Sequence, residues 1–114
     1  MTIAIFGSPY PEHFSKYIQH LIKKLETEYI NLIIEEEFSV FLENNIRFNK
    51  SISTFNSYET LKNKADFLLS IGGDGTLLKA VTYVRESEIP IMGINTGRLG
   101  FISSISADQI DDAI

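Results

Sequence analysis

The stretch SIGGDGTLLKA, residues 70–80, sets Gly72, Gly73 and Gly75 around an acid, Asp74, between two apolar runs. The run before it reads as a strand and the one after it as a helix, so the glycines fall on a strand-to-helix turn. Such a turn suits phosphate, because the unpaired N–H groups of the first helical turn and the positive end of the helix dipole both point into it. Asp74 then stands where its charge should repel the ligand. The conflict disappears if Asp74 works on the phosphate chemistry itself. It can accept the proton of an attacking hydroxyl, or bear on a magnesium ion that cancels polyphosphate charge. Lys79 lies about one helical turn in, where its ammonium either reaches back to the rim or is simply solvated. A second glycine turn, NTGRLG at 95–100, follows another strand-like run. Its Arg98 suits phosphate or carboxylate, and equally a solvated loop.

Other chemistries fit less well. The Walker A spacing is absent, and the G-x-G-x-x-G that begins at Gly73 has Leu78 in its last position. Asp74-Gly75 is also a hairpin signal, but LLKAVTYV after it has the period of a helix. A receiver-type phosphoacceptor domain needs an acidic pair after its first strand, whereas here Phe6-Gly7-Ser8-Pro9 precedes the first acid at Glu12. His13 and His20 are seven residues apart, about 10 Å along a helix and too far to share a metal. They read as surface residues. Without cysteine there is no disulfide, thiolate metal site or thiol catalysis.

The elements that must position these residues alternate. TIAIF (2–6), INLII (30–34), DFLLSI (66–71) and PIMGIN (90–95) are strand-like. Phe14, Ile18, Leu21, Ile22 and Leu25 recur at helical spacing, predicting a helix from near Glu12. Residues 35–45 predict a short helix that turns Phe38, Phe41 and Leu42 to the core, with three glutamates read as its solvated face. Residues 47–64 read as a loop holding at most a short helix near Tyr58–Lys62. Leu77, Leu78, Val81 and Val84 repeat with helical period, and Ser106 with Gln109 forms a capping box for a last helix after FISSI. Alternation of this kind predicts a Rossmann-like, doubly wound, mostly parallel α/β sheet with helices on both faces. Ligands in such sheets lie outside the carboxyl ends of the strands, so both glycine turns are expected on one rim.

Composition narrows the function. Hydrophobic residues make up 44% and charged residues 22% of 114 residues, as in an ordinary globular domain. A net charge of −5 argues against a nucleic-acid or membrane-surface binder. Met1 runs straight into the first strand without a basic leader or long apolar segment, so the expected location is cytoplasmic.

LSIGGDGTLLKA at 69–80 resembles the signature shared by NAD kinases, by diacylglycerol and sphingosine kinases and, more loosely, by phosphofructokinases. GINTGRLGF at 93–101 resembles NAD kinases specifically. The resemblance implies phosphorylation of the adenosine ribose 2′-hydroxyl of NAD to give NADP, with ATP or polyphosphate as donor and a divalent metal, magnesium, assisting. It implies Asp74 as the proton acceptor, with Asp74 and Gly75 on the dinucleotide and Thr76 and Lys79 at further binding positions. Gly72 and Gly73 would let the phosphates approach the backbone. Asn95, Thr96, Gly97, Gly100 and Phe101 match the second motif, where Phe101 would wall the adenine region. No residue is implied as a dedicated metal ligand.

The family also carries a β-rich C-terminal domain that supplies most NAD contacts. Residues 1–114 are therefore expected to be a single N-terminal domain, carrying the catalytic aspartate with little or no activity alone. An apolar patch near the last strand and helix is expected to favour self-association, with a homo-oligomer in the full-length protein. NAD and ATP are the expected partners. The rival readings are a lipid kinase and a non-catalytic nucleotide-binding or regulatory module.

Overall fold

The computed structural model describes residues 1–85 and 89–96. Five strands, β1 (Thr2–Gly7), β2 (Asn31–Glu35), β3 (Ser53–Phe55), β4 (Phe67–Gly72) and β5 (Ile91–Asn95), form one sheet in the order β3-β2-β1-β4-β5. Every pairing is parallel. Between them run α1 (Ser15–Thr27, entered through a 3₁₀ turn at Glu12–Phe14), α2 (Glu36–Glu43), α3 (Tyr58–Leu61) and α4 (Asp74–Val84).

Strand alternation sorts the core into two layers. On β1, Ile3 and Ile5 pack with Ile18, Leu21, Ile22 and Leu25 of α1 and with Phe38 and Leu42 of α2. Ala4 and Phe6 pack on the opposite face, against Leu61 of α3 and Ala80 and Val84 of α4. The sheet is thus doubly wound, as the alternating pattern predicts. The first half of the chain builds outward from β1 to β3, and the chain then crosses back to start β4 on the other side of β1. Reversing direction while keeping right-handed crossovers moves the helices to the other face. That reversal makes the gap between β1 and β4 the switch point of the sheet.

Local signals explain the boundaries. At the end of α1 the Ile30 N–H donates to Leu25 O and the Tyr29 N–H to Glu26 O, closing a Schellman turn with Tyr29 at φ 59°. Glu35 caps α2, its carboxylate accepting from the N–H groups of Glu37 and Phe38, both at 2.9 Å. This corrects the reading of the three glutamates as one solvated face, because Glu35 is 6% exposed. Ser57 and Thr60 form a capping box for α3. The strand β3 lies inside the segment expected to be a loop. It is three residues long with two of them exposed, so neither periodicity nor apolar content marks it.

The strand ends approach closely at Gly7. A Cβ built there would fall 2.5 Å from Phe38 Cζ and 2.6 Å from Ile71 O. The second of these is backbone and has no rotamer to escape into. Gly7→Ala is therefore expected to cost about 1–3 kcal/mol, read as a lower urea midpoint with an unchanged slope.

Candidate functional site

The carboxyl ends of β1 and β4 meet at the switch point, where the expected turn is found. Gly72 ends β4 with φ 155°, and a Cβ on it would lie 2.5 Å from Thr76 Oγ1 and 2.8 Å from Ser8 Oγ. Those two hydroxyls hydrogen-bond each other at 2.8 Å, fastening the loop after β1 to the first turn of α4. The missing side chain of Gly72 is thus explained by packing inside the protein. Gly73 and Gly75 differ, since a Cβ on either would meet nothing within 4 Å. Gly73 has φ −103°, which any residue adopts. Neither position needs glycine for space, and at Gly75, inside the helix, glycine costs about 0.5–1 kcal/mol relative to alanine. Space kept clear above the backbone is what a ligand on the main chain requires.

Gly73 is the N-cap of α4, and no side chain caps that end. The first helical hydrogen bond runs from the Leu77 N–H to Gly73 O at 3.1 Å. The N–H groups of Asp74, Gly75 and Thr76 therefore precede the helical ladder, as an anion site requires. Asp74, half-buried in this turn, has its Oδ1 buried without a hydrogen-bond partner among the described residues. A buried acceptor left unmatched costs about 1–3 kcal/mol, so its geometry suits a donor brought by something else.

The second motif begins on the same rim. Asn95, the last residue of β5, is in register with Gly72, and the Thr96 N–H donates to Gly72 O at 3.3 Å. Thr96 is buried, at 5% exposure. Gly72, Gly73, Asp74, Gly75, Thr76, Asn95 and Thr96 are therefore brought together. Gly97, Arg98, Gly100 and Phe101 lie outside the described residues, as does the helix expected from Ser106.

Against α4's first turn is a cavity of about 720 Å³. Gly7, Ser8, Gly75, Thr76 and Lys79 line one side of it, and Glu36, Glu37, Asn56, Phe38 and Tyr83 line the rest. Lys79 does reach it, its Nζ lying 5.9 Å from the centroid of the Phe6 ring. The sequence motifs do not single out Ser8, Glu36, Glu37, Asn56 or Tyr83 as site residues. Only the position of the glutamates at a strand end, where dinucleotide folds place an acid, offers a signal for them. The wall they form is electronegative. Burial raises the Tyr83 phenol above its ordinary value of 10.0, and the carboxylates of Glu35 and Glu37 raise it further. Neither exposed histidine lines the cavity: His13 is in the 3₁₀ turn and His20 on α1.

A family model described as the ATP-NAD kinase N-terminal domain matches residues 3–114. The chain belongs to that family. Among NAD kinases, those of Christiangramia forsetii and Flavobacterium psychrophilum are each 40% identical to it, over 100% and 97% of this chain and 39% and 38% of theirs. That of Bacteroides fragilis is 38% identical over 100% of this chain and 39% of its own. The chain thus spans about two fifths of the length of these NAD kinases. Its fold is similar to that of yeast NADH kinase, solved with NADH, at a TM-score of 0.77 and 18% identity over 99% of this chain and 36% of that one. Membership of the NAD kinase family and the doubly wound fold agree with what the two glycine motifs imply. Among the described residues, no helix is long and apolar enough to cross a membrane.

Glu37→Gln should lower the pH at which Tyr83 ionises, because the carboxylate disfavours phenolate. Folding holds this phenol protonated, so the stability it contributes is complete below the ordinary phenol value and is lost as pH rises through the higher folded one. Ultraviolet titration of the chain against its Tyr83→Phe variant isolates the Tyr83 signal.

Proposed function

We propose that residues 1–114 form the N-terminal domain of a NAD kinase, which transfers a phosphoryl group from ATP or polyphosphate to the adenosine ribose 2′-hydroxyl of NAD. Asp74 accepts the proton of that hydroxyl. The observation that carries this reading is the unpartnered, buried Oδ1 of Asp74, set in a helix turn whose neighbours Gly73 and Gly75 are open without structural need. A phosphate seated there takes the backbone N–H groups of Gly75 and Thr76, while the incoming hydroxyl donates to Asp74. Binding holds the two reactants at contact distance, and proton removal by the carboxylate makes the hydroxyl oxygen a better nucleophile.

Lys79 balances donor charge from the cavity side. Asn95 and Thr96 support the turn from β5, and Gly97, Gly100 and Phe101 belong to the same site in this reading. Among the described residues no three His, Cys, Asp or Glu converge to hold a metal. Magnesium is commonly held by one or two carboxylates with substrate phosphates and water, a set that Asp74 fits. When bound, it neutralises charge on the phosphates. The reading also includes a cytoplasmic, homo-oligomeric whole protein and a further β-rich domain that completes the NAD site.

The test is NADP formation by the protein of full family length. Asp74→Asn keeps the shape and removes the base, so turnover should fall about 100-fold or more while dinucleotide binding persists. Loss of binding and turnover together would assign Asp74 a binding or folding role instead. Residues 1–114 alone should show little or no turnover in the same assay, and robust turnover would overturn the assignment of NAD contacts to a further domain.

A further inference from the structure

We infer that the cavity beside α4 holds the nucleoside end of the phosphoryl donor, where the carboxylates of Glu36 and Glu37 accept its ribose hydroxyls and turn away inorganic polyphosphate. The inference rests on the kinase reading above and goes on to choose between the two donors.

Placement comes first. In-line phosphoryl transfer puts the attacking oxygen and the leaving oxygen on opposite sides of phosphorus. Asp74 is not among the residues that line the cavity, whereas its neighbours Gly75 and Thr76 are. A phosphate on the first turn of α4 therefore borders the cavity, while Asp74, the acceptor's base in this reading, stands outside it. The rest of the donor must lie on the cavity side. At about 720 Å³ the space is within the range of small-molecule sites, roughly 300–1,000 Å³.

The chemistry of the walls decides what fits. Next to α4 are Lys79 and the open helix N-terminus, both suited to phosphate. Further in, the wall changes sign. Glu35 is committed to capping α2, but Glu36 and Glu37 are exposed on the first turn of that helix. The Nδ2 of Asn56 donates to Glu36 Oε2 at 3.4 Å, a long contact that a better donor can replace. A polyphosphate chain extended into this end would set like charges together. A ribose is neutral and brings two hydroxyl donors, and the end of β2 is where dinucleotide folds place the acid that takes them. The Phe6 and Tyr83 rings, 5.1 Å apart and tilted, supply apolar surface beside it. Burial is the main cause of the raised ionisation of Tyr83, and the carboxylates of Glu35 and Glu37 add to it, which places that ring within their field.

The test is an amide NMR titration of the isotopically labelled chain with ATP, 2′,3′-dideoxy-ATP and tripolyphosphate, each with magnesium. ATP should shift Gly75 and Thr76 together with Glu36, Glu37 and Asn56. Tripolyphosphate should shift only the first pair and bind about tenfold or more weakly, and removing the ribose hydroxyls should cost ATP a similar factor. In the Glu36→Gln, Glu37→Gln double variant the preference for ATP should narrow. If that variant does not fold, the dideoxy comparison in the unaltered chain decides. Equal affinity for ATP and tripolyphosphate, equal affinity for the dideoxy analogue, or ATP shifts confined to Gly75 and Thr76 would each overturn the inference while leaving the kinase reading intact. Absence of any shift at Gly75 and Thr76 would count against both.

Discussion

The 2.8 Å hydrogen bond between Ser8 and Thr76 is the constraint on which the site depends. It joins the loop after the first strand to the first turn of α4, across the switch point and across 68 residues of sequence. The bond can form only because Gly72 leaves room for both hydroxyls. Gly7 has the matching role on the adjacent strand, letting β1 run close under Phe38 and beside Ile71. With these contacts in place the N-terminus of α4 is held at a defined height above the sheet. Gly73 and Gly75 at that end are exposed. A β-branched or larger residue at Gly72 would push α4 away and separate the two halves of the rim.

Against that rigid base, Gly73, Asp74 and Gly75 stand out as choices that folding alone does not favour. Alanine at the two glycines would meet no obstacle within 4 Å, and a partnered or absent carboxylate at 74 would relieve a buried oxygen without a donor. Glycine at 75, inside the helix, and the unmatched Asp74 oxygen each disfavour the folded state by an amount on the order of 1 kcal/mol. The neighbouring helices show the alternative. Glu35 and Ser57 close the N-termini of α2 and α3 with their side chains, whereas α4 begins on a bare glycine. Local departures from stable design, concentrated in three consecutive residues at a switch point, are what a functional site looks like in physical terms.

Much of this is legible in the sequence because the relevant signals are periodic. Ile3 and Ile5 against Ala4 and Phe6, and the three-and-four spacing of Ile18, Leu21, Ile22 and Leu25, specify two buried layers. Alternation and handedness predict a doubly wound parallel sheet, while the strand order is seen only in the structure. The Gly-Gly-Asp-Gly turn is readable because glycine and a carboxylate between a strand and a helix have few structural explanations. The features that sequence patterns do not reveal carry no period. Ser53, Thr54 and Phe55 become a strand only because β2 offers an open edge beside them, and two of the three side chains face water. Ser8 and Asn56 are small polar loop residues whose positions are set by distant elements. The glutamate run misleads for a related reason, since composition cannot separate Glu35, buried and capping a helix, from the exposed Glu36 and Glu37, although all three line the cavity.

The sheet topology itself explains why the start of one helix is open on two flanks. At a switch point the crossovers leave in opposite directions, so the strand ends open a crevice that no helix covers. Here α4 starts in that crevice, with β5 on one side and the β1–β2 side on the other. Its first turn is flanked by Asn95 and Thr96 on the β5 side and by the cavity that Lys79, Glu36 and Glu37 line on the other. A fold with all its helices on one face would offer only one approach. The doubly wound arrangement therefore shapes the candidate site as well as the core, because it sets a cavity beside a turn of backbone whose N–H groups remain outside the helical ladder.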